Sequence, residues 1–249
     1  MTAPAPTGVL HPEALAGQIA VVTGAARGIG AVVALELARG GADLALFDLD
    51  EPSATAEAVQ AMGRKAHAER LDVTDRAAVE TSIGALSRVD VVVTSAGVYG
   101  EPTPVADIDD ADMDRVLGVN LKGALWTIRA ALPALRRAGG RVVCLGSAAG
   151  EVGGIASGPQ YVASKGAIHA MVKWLARMEA ANGVAANAVA PGAVETNMIA
   201  GRGYSGDYCP LGRLATAQDI ATVIAFLASP HAAYMTGTVV DVNGGFHMG

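Results

Sequence analysis

The chain has 249 residues, 51% of them hydrophobic and 17% charged, with a formal net charge of −6 at pH 7. This composition fills a core rather than a disordered chain, and its acidic balance offers no basic stripe to a phosphate backbone, which argues against nucleic-acid binding. No stretch approaches 18 uninterrupted apolar residues, so no membrane span is expected; Cys144 and Cys209 show neither zinc spacing nor a disulfide framework, which fits a reduced, cytoplasmic setting.

Residues 1–16 read as a flexible tail carrying Pro4, Pro6 and Pro12, without the basic and apolar regions of a secretory signal. From residue 17 onward a single domain is expected, because no linker or composition break divides the chain. Short Val/Ile/Leu/Ala runs alternate with helical patterns. Strands are predicted at 18–23, 43–47, 66–71, 89–94, 141–146, 184–190 and 238–242. Helices are predicted at 29–40, 52–62, 75–86, 111–137, 160–181 and 218–228. The 111–137 segment keeps an apolar stripe at Met113, Val116, Leu117, Leu121, Leu125, Ile128, Leu132 and Leu135, the three-and-four spacing of an amphipathic helix. Strands that are apolar throughout, alternating with helices, imply an α/β fold of the doubly wound, Rossmann type. It would have about seven parallel strands and helices on both faces. The connection at about 197–217 has no clear period and carries Gly201, Gly203, Gly206, Tyr204 and Tyr208; a connection this long inside a compact domain is usually functional.

The first strand runs into Thr23-Gly24-Ala25-Ala26-Arg27-Gly28-Ile29-Gly30 and then a helix. Gly24 allows the tight turn, Gly28 lets the backbone approach a pyrophosphate, and Gly30 lets helix and strand pack closely. The helix N-terminus offers free N–H groups to the phosphates. Asp48 ends the second strand, where a carboxylate accepts from a ribose diol and repels a 2′-phosphate. Arg27 pulls the other way, and residue 49 is Leu; the balance favours NAD over NADP. Asp72, before Val73, is either part of an adenine pocket or a loop cap.

Tyr161 and Lys165 are spaced i, i+4 on one helix face. A phenol titrates near pH 10 and is a poor base at neutral pH; a lysine ammonium one turn away, together with a cationic nicotinamide, would lower that value. Ser147 ends a predicted strand, and ligands of open parallel sheets sit outside those carboxyl ends. The histidines are scattered, so no metal site is expected, and His169, one turn beyond Lys165, reads as a helix-surface residue. Trp126 and Trp174 on the two long helices read as core or interface packing.

Taken together, Thr23–Gly30, Asp72-Val73, Asn120, Ser147, Tyr161 with Lys165, Pro191-Gly192 with Thr196, and Asn243-Gly244-Gly245 resemble a classical short-chain dehydrogenase/reductase over residues 17–247. The resemblance implies that Tyr161 is the general acid in reduction and the base in oxidation. Lys165 would lower the Tyr161 pKa and hold the nicotinamide ribose, while Ser147 would orient the substrate oxygen. Asn120 would bend its helix and hold a water that links Lys165 to solvent. The cofactor would lie along Gly24, Arg27, Gly28, Ile29, Gly30, Asp48, Asp72, Val73, Ala96, Gly97, Pro191, Gly192, Val194 and Thr196. The family commonly forms dimers and tetramers through its two long helices. The family's usual Asn-Asn-Ala-Gly is here Thr94-Ser95-Ala96-Gly97, whose hydroxyls would have to replace the missing amides. Ser147 and Tyr161 are 14 apart, one more than in many relatives. The substrate pocket is expected at Ser147, Ala149, Gly154, Tyr161, Met198 and Tyr204, with further selectivity from Val98 and Tyr99. The leading reading is an NAD(H)-dependent dehydrogenase or reductase of a secondary alcohol or ketone. A 3-oxoacyl thioester reductase and a non-catalytic NAD-binding regulator are the alternatives.

Overall fold

The computed structural model describes residues 9–154 and 156–249. Seven strands form one parallel sheet: β1 (Ile19–Thr23), β2 (Asp43–Asp48), β3 (Ala66–Arg70), β4 (Val91–Thr94), β5 (Arg141–Leu145), β6 (Ala185–Pro191) and β7 (Val239–Val242). Their order is β3-β2-β1-β4-β5-β6-β7. The chain winds outward from β1 in one direction and, after β3, returns to place β4 on its other side. The carboxyl ends of β1 and β4 therefore flank the point where the strand order reverses, with Thr23 paired to Thr94.

The helices are α1 (Gly28–Arg39), α2 (Ser53–Ala61), α3 (Arg76–Ser82), α4 (Asp110–Leu117), α5 (Ala124–Ala138), α6 (Ala149–Val152), α7 (Pro159–Glu179) and α8 (Ala217–Ala228). Alternate strand residues feed two cores. Ala20, Val22, Val91 and Val93 pack with Val33 and Leu37 of α1, Val59 of α2 and Ile220 and Ile224 of α8. Val21, Val92, Val142 and Cys144 pack with Val79 of α3, Ile128 and Leu135 of α5 and Ile168 and Val172 of α7. Burial on both faces is why these strands read as continuous apolar runs.

Three expectations change. The single helix expected at 111–137 is divided by a wider π turn, Gly118–Gly123, between α4 and α5. At its end Gly123 presses on Val73, where a Cβ would fall 2.6 Å from Val73 Cγ2. A short helix, α6, follows Ser147 where no element was predicted; Gly153 and Gly154, with φ of 87° and 75°, end it. The flexible tail expected over 1–16 lies partly outside the described residues. Within them, Leu10 and Leu15 are buried, and the Leu15 N–H donates to the Gly40 carbonyl at 2.7 Å. Both leucines close the C-terminal end of α1, where Gly40 leaves room for the Leu10 methyl, so residues 10–16 are part of the domain. No helix among the described residues is long and apolar enough to cross a membrane.

Candidate active site

The turn between β1 and α1 is shaped by what its glycines omit. A Cβ on Gly24 would meet the Ala96 backbone nitrogen at 2.6 Å, and one on Gly30 would meet the Gly24 carbonyl oxygen at 2.0 Å. Gly24 and Gly28 also hold left-handed backbone, with φ of 70° and 59°. Gly28 differs from the other two in facing open space. The nearest atom to its missing Cβ is Thr196 Cγ2, at 3.9 Å on the opposite wall. Arg27 caps α1 with no side-chain hydrogen bond, leaving the helix N-terminus to whatever lies above Gly28. This open, glycine-lined cradle with an uncapped helix fits a pyrophosphate.

Asp48 closes β2 with both carboxylate oxygens engaged. One accepts the Ala26 N–H at 2.9 Å and the other the Asp50 N–H at 3.2 Å. Arg27 is paired with Asp50 at 2.7 Å on the surface. Asp72 accepts from the Thr74 N–H and hydroxyl, each at 2.8 Å, so its carboxylate caps its own loop, while Val73 beside it is buried. On the opposite wall the Gly192 N–H donates to Val242, Val194 bridges to Ala215, and the Thr196 hydroxyl donates to the Val194 carbonyl at 3.3 Å. Ala96 and Gly97 form the floor. A Cβ on Gly97 would lie 3.4 Å from Asn120 Oδ1 and 3.9 Å from Lys165 Nζ.

Three elements bring the four chemical side chains together: Ser147 just after β5, Tyr161 and Lys165 on α7, and Asn120 in the π turn. Asn120 is buried, and its amide is fully occupied. It accepts the Val98 N–H at 2.8 Å and donates to the Val98 carbonyl at 3.0 Å and to Ser164 Oγ at 3.1 Å. These bonds brace the loop after β4 against α7. Thr94 does not contribute as expected: its short hydroxyl, like that of Thr23 beside it, is buried without a hydrogen-bond partner among the described residues.

Lys165 Nζ donates to the Leu145 carbonyl at 2.8 Å and lies 5.6 Å from the Tyr161 ring centroid. Burial lowers the Lys165 pKa to about 8. It also pushes the Tyr161 phenol up to about 12, with the Ser147 hydroxyl pulling it back. This is opposite to the direction expected from a neighbouring lysine. The ammonium points at a carbonyl and the ring face, and desolvation of the phenolate outweighs it.

The six expected pocket residues, Ser147, Ala149, Gly154, Tyr161, Met198 and Tyr204, line one cleft together with Tyr99. Ile155, in the same loop, lies outside the described residues. Ile199, Tyr208 and Cys209 of the 197–217 connection also line it, and sequence reasoning missed Phe246, which completes the wall. Positive φ at Gly244 and Gly245, 65° and 85°, precedes Phe246 and turns the chain toward the cleft; only the Asn243-Gly244-Gly245 motif hinted at this. Among the described residues, none that lines the cleft carries a charge. Above it, Arg202 of the 197–217 connection forms a two-pronged ion pair with Glu101 at 2.5 and 2.6 Å. Its guanidinium stacks on Tyr99 at 4.2 Å, and the Tyr99 hydroxyl reaches that of Tyr204 at 3.2 Å. His169 is not on the surface. It is buried beneath the Ser147 turn.

Comparison with known proteins is consistent with this architecture. The sequence model of the family described as enoyl-(acyl carrier protein) reductase matches residues 24–247. The chain is 36% identical to a cyclohexanol dehydrogenase of Rhodococcus sp. (strain TK6) over 93% of its length and 96% of the relative's. Among solved structures it resembles a blue fluorescent protein from a metagenomic library in complex with NADPH. That match has a TM-score of 0.88 at 34% identity and covers 94% of this chain and 99% of the other. It equally resembles carveol dehydrogenase from Mycobacterium avium in complex with NAD, with a TM-score of 0.88 at 25% identity, covering 93% and 98%. The chain belongs to the classical short-chain dehydrogenase/reductase family of oxidoreductases.

Proposed function

We propose that this enzyme interconverts an uncharged secondary alcohol and the corresponding ketone, with NAD(H) preferred over NADP(H). The observation that carries the reading is the convergence of Ser147 and Tyr161 on a cleft without charged lining, with Lys165 one helical turn behind.

Gly24, Gly28, Ile29 and Gly30 would hold the pyrophosphate at the N-terminus of α1. Asp72 and Val73 would border the adenine, and Ala96, Gly97, Pro191, Gly192, Val194 and Thr196 would enclose the nicotinamide end. The NAD preference rests on Asp48. Its carboxylate stands where a ribose diol would be bound, and Arg27, the nearest candidate to attract a 2′-phosphate, is paired with Asp50. When bound, the dinucleotide supplies the hydride donor or acceptor and, in its oxidised form, a positive ring that favours a phenolate.

In reduction, Tyr161 Oη donates its proton to the developing alkoxide, while the Ser147 hydroxyl hydrogen-bonds the same oxygen and keeps it within reach. In oxidation Tyr161 takes the alcohol proton. Lys165 would hold the nicotinamide ribose, and the Asn120 turn, through its backbone rather than its engaged side-chain amide, would hold the water through which the proton returns from solvent. The cleft lining has no cation to balance a substrate carboxylate, which favours a neutral, apolar alcohol. We further propose assembly as a homodimer or homotetramer through α5 and α7, where Trp174 and Met178 are exposed. The buried, free Cys144 and Cys209 suit a reducing, cytoplasmic setting.

The test is a panel of neutral cyclic and acyclic alcohols and ketones, hydroxy acids and 3-oxoacyl thioesters. Each is followed by dinucleotide absorbance with both cofactors, for the wild type and Tyr161→Phe. The expected result is turnover of a neutral alcohol–ketone pair, higher kcat/KM with NADH than with NADPH, and a loss of about 100-fold or more in Tyr161→Phe. Preference for the thioester, or unchanged turnover in Tyr161→Phe, would overturn the reading; dinucleotide binding without turnover of any substrate would favour a regulator.

A further inference from the structure

The Ser147 turn is anchored from below by a side chain outside the Ser-Tyr-Lys-Asn set. The His169 ring lies two helical turns beyond Tyr161 on α7 and is buried between glycines. A Cβ on Gly146 would fall 2.4 Å from its Nε2, and one on Gly150 would fall 3.1 Å from its Cε1. The Ser147 backbone N–H donates to His169 Nε2 at 3.4 Å, and His169 Nδ1 pairs with Glu151 Oε1 of α6 at 2.7 Å.

These two bonds assign the tautomer. Nε2 must offer a lone pair to the Ser147 N–H, so the ring proton is on Nδ1 and is donated to the Glu151 carboxylate. The rest of the turn is held by backbone bonds: Gly146 N–H to Val189, Ala148 N–H to Pro191, and Gly150 N–H to the Ser147 carbonyl. The Ser147 hydroxyl oxygen accepts the Ala149 N–H at 3.1 Å, which leaves its proton to donate into the cleft. His169 is therefore the side chain that holds the Ser147 backbone itself.

We propose that His169, oriented by Glu151, is a positioning residue. Its neutral imidazole holds the Ser147 backbone so that the hydroxyl faces the substrate oxygen, and a second proton on Nε2 sets two donors against each other and releases the turn. The charged groups facing the ring are Glu151 from α6 and Lys165 and Lys173 from α7. Burial lowers the His169 pKa and the two lysines act in the same direction, while Glu151 opposes them. The neutral ring is thereby maintained at pH 7, and the device responds on the acid side.

The catalytic half of this inference rests on the alcohol–ketone reading, because it gives Ser147 its role; the hydrogen bond does not. The first measurement is therefore 15N NMR of histidine-labelled protein at pH 7, with His169 assigned by its loss in His169→Gln. A protonated Nδ1 and bare Nε2 are expected, and a proton on Nε2 would overturn the inference. In Glu151→Gln the second proton should arrive at lower pH; an unshifted titration counts against the pair.

The second measurement is kcat for ketone reduction between pH 5 and 8. The wild type should lose rate at the acid end, against the usual gain of a proton-consuming reaction. His169→Gln, whose side-chain oxygen still accepts from Ser147, should keep most of the rate at pH 7 and lose the acid decline. His169→Leu should fall about tenfold with unchanged NADH affinity. Wild-type kcat in folded His169→Leu, or an acid decline that persists in His169→Gln, would defeat the positioning role. A panel on which the wild type turns over nothing would defeat both the alcohol–ketone reading and the catalytic half; the tautomer would then still decide the anchor.

Discussion

The two halves of the cleft are built on different principles. The cofactor half is mostly backbone: a glycine turn so close to Ala96 that a Cβ on Gly24 would lie 2.6 Å from its nitrogen, an uncapped helix and a carboxylate at the end of β2. The substrate half is mostly side chains from distant parts of the chain. Tyr99, Tyr204 and Phe246 meet over Ser147 and Tyr161 although more than a hundred residues separate the first of them from the others. A backbone cradle tolerates almost no added atom, whereas a side-chain wall can be re-faced with a different selectivity. One fold thus holds one cofactor type and accommodates many substrates.

The sharpest way to break this contrast is Gly30→Val. The new Cβ would lie 2.0 Å from the Gly24 carbonyl, and we expect NADH affinity to fall by at least about 100-fold, with or without loss of folding. Fluorescence titration beside a thermal melt reads both. Near-normal NADH binding would mean that the turn is far softer than its geometry indicates.

Asn120→Ala tests the brace between the halves. It removes three hydrogen bonds and leaves the Val98 N–H without its acceptor. We expect the protein to be about 2–4 kcal/mol less stable to urea. A loss within error would move the bracing role elsewhere.

On the substrate side, Arg202→Gln removes an ion pair that is largely in solvent, so the melting temperature should barely move. The 197–217 connection loses its tie to Glu101 and its stacking on Tyr99, so KM for substrate should rise several-fold while that for NADH stays constant. Equal KM values would show that the connection does not depend on this latch to cover the cleft.

The smallest effect is a pH slope. An unfolded Lys165 titrates at 10.5, whereas the buried one titrates at about 8. Across that window the unfolded chain holds the extra proton, and stability rises with pH. Cys144, raised from 9.0 to about 11, acts oppositely above pH 9, and Tyr161, raised from 10.0 to about 12, does so above pH 10. The clean interval is therefore pH 8 to 9. Urea melts there should show a shallower rise in Lys165→Met than in the wild type; identical slopes would place the lysine in a wetter environment.

Residues 17–30 illustrate what was readable in advance. An apolar run followed by spaced glycines dictates a buried strand, a tight turn and a helix, because period and conformational freedom are local properties. The i, i+4 spacing of Tyr161 and Lys165 likewise placed both on one face of α7. The π turn at Gly118–Gly123 was not readable from the apolar stripe, which crosses it without a break; only the family resemblance implied a bend at Asn120, which bonds to Val98 and Ser164 only once β4 and α7 are in place.

The same distinction accounts for His169 and for the direction of the Tyr161 shift. Sequence spacing sets the helix face on which His169 lies, but burial of that face is decided by the glycine-lined turn that packs on it. Likewise, the lysine near Tyr161 was visible from spacing, but its competition with desolvation depends on where Nζ points, and here Nζ points to Leu145. Local chain chemistry determined the parallel α/β order and the cofactor turn, because repeating geometry and glycine freedom act within a few residues. Packing between distant segments decided the cleft wall, the Asn120 brace and the charge balance at Tyr161, because exposure, hydrogen-bond partners and local dielectric arise only when those segments meet.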